Sequence, residues 1–136
     1  MKRLTMFFLA AAMVLAALYL PKSPAFDETG VYTLYRYSAS SLSTQENLTG
    51  GVIFNARSVE GESVTYLSDA FSLSELLEKY DAVLLFSEQA GEVICYYAYS
   101  PALSYRATLY SVTVNLQIAV ENQRITLGTP LIFGSF

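Results

Sequence analysis

The sequence contains no histidine. Without an imidazole to take a proton from a hydroxyl or thiol, Ser-His-Asp and Cys-His nucleophile arrangements are excluded. The commonest metal ligand is missing too. The single cysteine, Cys95, cannot form a disulfide within the chain and cannot alone make a structural zinc site. A Ser-Lys pair would need Lys79, which falls on a helix surface, or Lys22, which precedes the expected processing point. Basic residues are scarce as well, 8 against 12 acidic ones. Lys2, Arg3 and Lys22 lie in the first 25 residues, so residues 26–136 hold 5 basic and 12 acidic side chains, a net charge of −7. That balance opposes nucleic-acid binding, which needs a positive surface to displace counterions from phosphates. It also opposes attraction to anionic lipid headgroups. No repeat or low-complexity tract occurs, and the closing segment 128–136 lacks the lysine of a phosphate loop. The sequence therefore offers no imidazole, thiol or lysine catalyst, no metal set and no cofactor motif. The chain is read as not an enzyme, with carboxylate-based hydrolysis of glycan as a third option.

What is present begins with a targeting signal. Met1-Lys2-Arg3 is followed by an apolar run over residues 4–20, broken only by Thr5, the pattern of an export signal. Ser23 and Ala25 are small residues at −3 and −1 of a cut after Ala25. The run is long for a cleaved signal and at the short limit for a span, so residues 1–25 read as a signal peptide or an N-terminal membrane anchor. In both cases the basic start stays inside and the rest is sent outside. The 111 residues 26–136 are enough for one extracytoplasmic domain and too few for two. Lacking disulfides, that domain must be held by its apolar core.

The periodicities predict an α+β domain, an antiparallel β-sheet with one short helix on one face. Strands are expected at 31–37, 52–58, 63–67, 82–86, 93–100, 112–120 and 125–133. Loops are expected at 38–51 and 101–106, and turns at Glu60-Gly61, 88–91 and 121–124. Asn47-Leu48-Thr49 is a formal glycosylation sequon. Pro130 cannot donate to a ladder, which predicts a sheet edge or a bulge. The helix, 73–80, has the strongest signature: Leu73, Leu76, Leu77 and Tyr80 form one stripe. Ser72 and Glu75 match a capping box, and Phe71 and Leu76 a hydrophobic staple. Glu75 and Lys79 are spaced for an i, i+4 pair.

Several side chains carry candidate chemistry. Cys95 stands beside Val93, Ile94, Tyr96 and Tyr97, with no cation to lower its pKa, and reads as a small buried hydrophobe. Glu60 with Glu62, and Glu88 with Glu92, are carboxylate pairs of the kind a glycosidase uses; all four are expected at turns, as solvated charge. In strand 93–100, Val93, Cys95, Tyr97 and Tyr99 point one way. In strand 112–120, Val112, Val114, Leu116, Ile118 and Val120 face the core, while Thr113, Asn115, Gln117 and Ala119 face water. Tyr97, Tyr99, Thr113, Asn115 and Gln117 are thereby candidate ligand-binding residues, since rings stack on sugars and amides hydrogen-bond to them. Ordinary strand composition explains the tyrosines equally.

Three stretches, "YYAYSPAL" (96–103), "VNLQIAV" (114–120) and "ITLGTPLIFGSF" (125–136), resemble the C-terminal part of the YwmB-like family, exported proteins of Gram-positive bacteria. The resemblance implies a fold like that of TATA-box-binding proteins, of which 111 residues would make half a saddle. Family members are longer, with two related halves, so this chain would be a reduced single unit or one whose dimer rebuilds the pair. It implies no activity and no functional residue.

The leading expectation is a non-enzymatic interaction or structural module of the bacterial cell envelope. Its partner would be an envelope protein, with a homodimer as a further option. The alternative is binding of cell-wall glycan (peptidoglycan) through a Tyr/Asn/Gln sheet face. No nucleic-acid partner is expected, and membrane contact only through residues 4–20 if they are retained.

Overall fold

The computed structural model describes residues 1–19, 21–36, 44–49, 54–55 and 59–133. Helix α1 (Lys2–Tyr19) comes first, with residues 2–16 all exposed. Among the described residues no helix is long and apolar enough to cross a membrane. A seven-stranded sheet then organises the chain. Its strands are β2 (Val31–Arg36), β3 (Thr44–Thr49), β5 (Val59–Leu67), β6 (Val83–Ala90), β7 (Val93–Tyr99), β10 (Leu116–Glu121) and β11 (Arg124–Thr129). The spatial order is β3-β2-β5-β11-β10-β7-β6, and every pairing is antiparallel. Two separate small pairs also lie among the described residues: β1 (Pro21–Lys22) with β4 (Phe54–Asn55), and β8 (Ala107–Leu109) with β9 (Val112–Val114). The protein is thus α+β, with an antiparallel sheet at its centre.

Helix α2 (Leu73–Lys79) forms where its caps and stripe dictate. The Ser72 hydroxyl accepts the Glu75 N–H at 3.4 Å, satisfying one donor that the first turn leaves over. The far end closes as a Schellman motif: Ala82 N–H donates to Leu77 C=O, Asp81 N–H to Glu78 C=O, and Asp81 takes φ 51°. Leu76 and Tyr80 are buried, with Phe71, Leu73 and Leu77 against the same core. Seven residues are too few to hold a helix in water, so this burial sustains it. The expected Glu75–Lys79 pair is not what forms. Lys79 Nζ instead meets Asp27 at 2.8 Å and Glu28 at 2.6 Å, two carboxylates that precede the sheet.

The core under α2 joins Phe26, Tyr32, Leu34, Val64, Ala98, Leu116, Ile118, Ile125 and Leu127. A second cluster fills the opposite face: Cys95, Tyr97, Val114 and Ala119, with Phe86, Ala107, Leu109, Leu131 and Ile132 against them. This second cluster overturns the expectation of a wet face. Asn115 is 0% exposed, Gln117 4% and Ala119 3%. The reason is covalent continuity: β8, β9 and the segment after β11 fold over that side of the sheet.

Other expectations need correction. The strand foreseen over 112–120 is two strands broken at Asn115, so Val114 and Leu116 enter opposite cores. Glu60-Gly61 is not a turn. It lies within β5, where the ladder to β2 shifts register between Tyr35 and Arg36. A Cβ on Gly61 would stand 2.7 Å from the Thr129 carbonyl oxygen, so the residue permits a close backbone approach. The partners of β5 are β2 and β11 rather than the strand foreseen at 52–58, of which only β4 falls among the described residues. The loop foreseen over 38–51 contains β3, and its residues 38–43 and 50–51 lie outside the described residues. The turn foreseen at 88–91 shrinks to Gly91-Glu92, with Ala90 opposite Val93. Pro130 marks no sheet edge, for β11 is an interior strand that stops just before it.

Candidate interaction surface

The five candidate ligand-binding residues separate. Tyr97 is buried and stacks on Phe86, ring centroids 4.6 Å apart and planes at 19°. Burial, then the neighbouring Cys95 and Glu88, pushes its phenol up to about 12. Gln117, opposite Tyr97 in the ladder, spends both ends of its amide internally. Its Oε1 accepts the Ile132 N–H at 2.9 Å, and its Nε2 donates to Cys95 Sγ at 3.5 Å. It therefore ties the segment after β11 onto the sheet. Cys95 is a free, buried thiol, as foreseen. Asn115 bonds Ser100 and Leu103. Tyr99 is half-buried under the Arg106 guanidinium, 5.1 Å from its ring centroid. Only Thr113 is exposed. Tyr97 and Gln117 come together with Cys95 beneath the segment after β11, while Asn115 serves a different knot and no open shelf joins the five.

Sequence reasoning missed a buried carboxylate. Glu62, foreseen as solvated, is 0% exposed. Its Oε1 accepts the Tyr32 hydroxyl at 2.7 Å and the Ala25 N–H at 3.0 Å. The Tyr32 hydroxyl in turn accepts the Phe26 N–H at 3.3 Å. Burial first, and the Glu62 charge second, hold the phenols of Tyr32 and Tyr105 well above the ordinary tyrosine range. A charge so deep in a core is retained only with hydrogen bonds around it. Nothing local in the sequence marks it, because Tyr32 is 30 residues away.

A second polar knot stands at the end of α2. The Tyr80 hydroxyl donates to Asp27 Oδ1 and Glu28 Oε1, each at 3.1 Å, and the Tyr80 ring meets Phe26 edge-on at 5.4 Å. Lys79 holds the Asp27 carboxyl below its usual value, while Asp27 and Glu28 hold the Lys79 amine above its own. Beside this knot a cleft of about 240 Å³ runs between α2 and β5, lined by Glu28, Tyr66, Phe71, Glu75 and Lys79 among others. Burial, then Glu28, raises the Tyr66 phenol to about 12.

The surface that stands out is a sheet edge. Among the described residues, strand β6 has a neighbour, β7, on one side only. It begins with Val83 67% exposed, Leu84 41% and Leu85 39%. Edge strands offer unpaired N–H and C=O groups, which proteins usually guard with charge or a bulge. Here a register shift interrupts the first half of β6 between Leu84 and Phe86, and the charge of Glu88 guards the second half, while Val83, Leu84 and Leu85 stay apolar and exposed. Tyr110, 77% exposed, leans edge-on against Phe86 at 5.9 Å. The sequence showed apolar residues at 82–86 but not that their strand would be outermost. Compared with known proteins, the chain matches no family model, no curated protein and no solved structure.

Proposed function

We propose that this chain is a non-enzymatic interaction module that works outside the cytoplasmic membrane of a bacterium and engages another protein chain along the exposed apolar start of β6. The observation that carries the reading is the run Val83-Leu84-Leu85, exposed at the outer edge of an otherwise well-filled sheet. An extended segment laid there would gain backbone hydrogen bonds and cover apolar surface at once. The basic start and apolar run of residues 1–20 support the location, and kinship with the YwmB-like proteins belongs to the same proposal. A second copy of the chain is one such partner. The alternative, glycan binding through a Tyr/Asn/Gln sheet face, is left with Tyr99 and Thr113 at the surface, since Tyr97, Asn115 and Gln117 are buried and the two amides are engaged within the chain.

The test has two parts. Cell fractionation should place the chain outside the membrane. Val83→Lys should then change the unfolding curve little, because that side chain is 67% exposed, while partners that co-purify with the wild-type chain are lost. Unchanged co-purification with the Lys variant would remove the β6 edge from the reading, and a cytoplasmic chain would remove the location.

A further inference from the structure

We infer that Glu62 is the buried counter-ion of a new N-terminus, the α-ammonium that processing after Ala25 creates at Phe26. The inference rests on the export reading for the cut itself and goes beyond it in saying where the new end is seated.

The chain changes character at this bond. Residues 2–16 are exposed, Ser23 is exposed, Pro24 and Ala25 are half-buried, and Phe26 is 1% exposed with its ring in the core against Tyr80. The backbone nitrogens on either side of the cut point into one polar site. Ala25 N–H donates directly to Glu62 Oε1 at 3.0 Å. Phe26 N–H donates at 3.3 Å to the Tyr32 hydroxyl, which donates to the same Glu62 oxygen at 2.7 Å. Hydrolysis of the Ala25–Phe26 bond by a signal-processing peptidase consumes one water. It leaves a carboxylate on Ala25, which departs with the leader, and an ammonium on Phe26, which stays. Because signal removal precedes folding, the burial of Phe26 in the folded protein does not shield the bond.

The cut would take from Glu62 the Ala25 peptide donor, and a buried carboxylate that loses a donor is costly. The same cut supplies the remedy. The Phe26 nitrogen gains two protons and a positive charge in the space that Ala25 vacates, one residue from the carboxylate it must meet. An ion pair then replaces a neutral donor on a carboxylate that has no exposure in the uncut chain, and low-dielectric surroundings strengthen such a pair. The neighbouring charges are already engaged: Asp27 and Glu28 with Lys79 and Tyr80, and Tyr105 with Glu62 and the field of Arg36.

The full chain, exported by a Gram-positive host and recovered from outside the cells, should by intact mass and N-terminal sequencing begin at Phe26. Any other first residue, or an uncut chain, overturns the inference, and an exported chain that begins elsewhere does so while leaving the export reading intact. Urea unfolding then compares Glu62→Gln with wild type in the processed protein and in a chain whose cut is blocked by Ala25→Gln. The substitution should lower the folding equilibrium constant at least tenfold more in the processed protein. Equal losses in the two forms would overturn the seat. A measurement on the wild type alone covers the case in which Glu62→Gln does not fold in either form. With carbon-labelled glutamate, the Glu62 carboxyl signal should move in the same pH step as the Phe26 α-amine, and no shared step would refute the pairing.

Discussion

The Asn115 side chain closes a two-way pair with the Ser100 backbone: its Oδ1 accepts the Ser100 N–H at 2.7 Å, and its Nδ2 donates to the Ser100 carbonyl at 2.6 Å. A side-chain amide thus does what the backbone of a neighbouring strand would do. The same Nδ2 reaches the Leu103 carbonyl at 3.1 Å, and the Ser100 hydroxyl donates to the Tyr80 carbonyl. One amide thereby joins the end of β7, the loop after it and the gap between β9 and β10, with the end of α2 attached through Ser100. Asn115→Ala would take the acceptor from Ser100 N–H and the side-chain donor from Leu103 C=O, both at a buried site, while Ser100 C=O would keep only the Leu103 N–H at 3.4 Å. At about 1–3 kcal/mol for each orphaned group, a loss of about 3 kcal/mol is expected, read as a lower urea midpoint with an unchanged slope.

The β8–β9 hairpin turns through Tyr110 at φ 50° and Ser111 at φ 66°. Two positive φ values in a two-residue loop are the geometry of a type I′ turn, which favours Asn and Gly. Ser111→Gly should therefore stabilise the protein by about 0.5 kcal/mol, while Gly91→Ala, at φ 62° with nothing within 4 Å of the added Cβ, should cost about 1 kcal/mol through conformation alone. Paired chemical-denaturation curves test both signs.

Burial keeps Tyr32, Tyr80 and Tyr105 neutral in the folded protein far above the ordinary tyrosine value of 10.0. A folded-state pKa raised above the unfolded one means stability that is whole below pH 10 and lost as pH climbs beyond it. Tyrosinate absorbance and circular dichroism, followed together in an alkaline titration, should show these phenols ionising in the same step as unfolding. Ionisation with the fold intact would contradict their burial.

The acid side follows from Lys79. Asp27 titrates below its usual 3.8 because of the Lys79 ammonium, so its share of stability is present above that value and lost as pH falls through the lowered one. Lys79 itself titrates above 10.5, so its share is present below 10.5 and lost as pH rises through the raised value. The site is exposed enough for water and salt to screen it. Lys79→Met should reduce stability by only a few tenths of a kcal/mol near neutral pH, and the difference should vanish in strong acid and in high salt.

How much of this could be read in advance depended on how local each signal was. Helix α2 was legible because Ser72, Leu73, Leu76, Leu77 and Tyr80 carry cap and stripe within nine residues. The turn at Asn122 was legible from four consecutive polar residues, and Cys95 from its apolar neighbours. The strand around Asn115 misled because alternation reports that two faces differ, and it does not report that the second one is dry. Asn115 and Gln117 looked wet because an amide in a strand usually is. Here each amide answers backbone groups 15 residues away, Ser100 for one and Ile132 for the other. Glu62 misled for the same reason, since its burial depends on Tyr32 and Ala25, neither of which adjoins it in the chain. The rank of β6 as outermost strand is a property of topology, set by which strands pair, and no single stretch encodes it.

The most direct measurement is photo-crosslinking in the living host, with a light-activated residue placed at Leu85 in one strain and at Thr113 in another. Both positions are exposed, but only the first lies on the β6 edge. The account predicts a discrete adduct with another protein chain, a second copy included, from Leu85 and none from Thr113. Adducts from Thr113 alone, or from neither position, would contradict it.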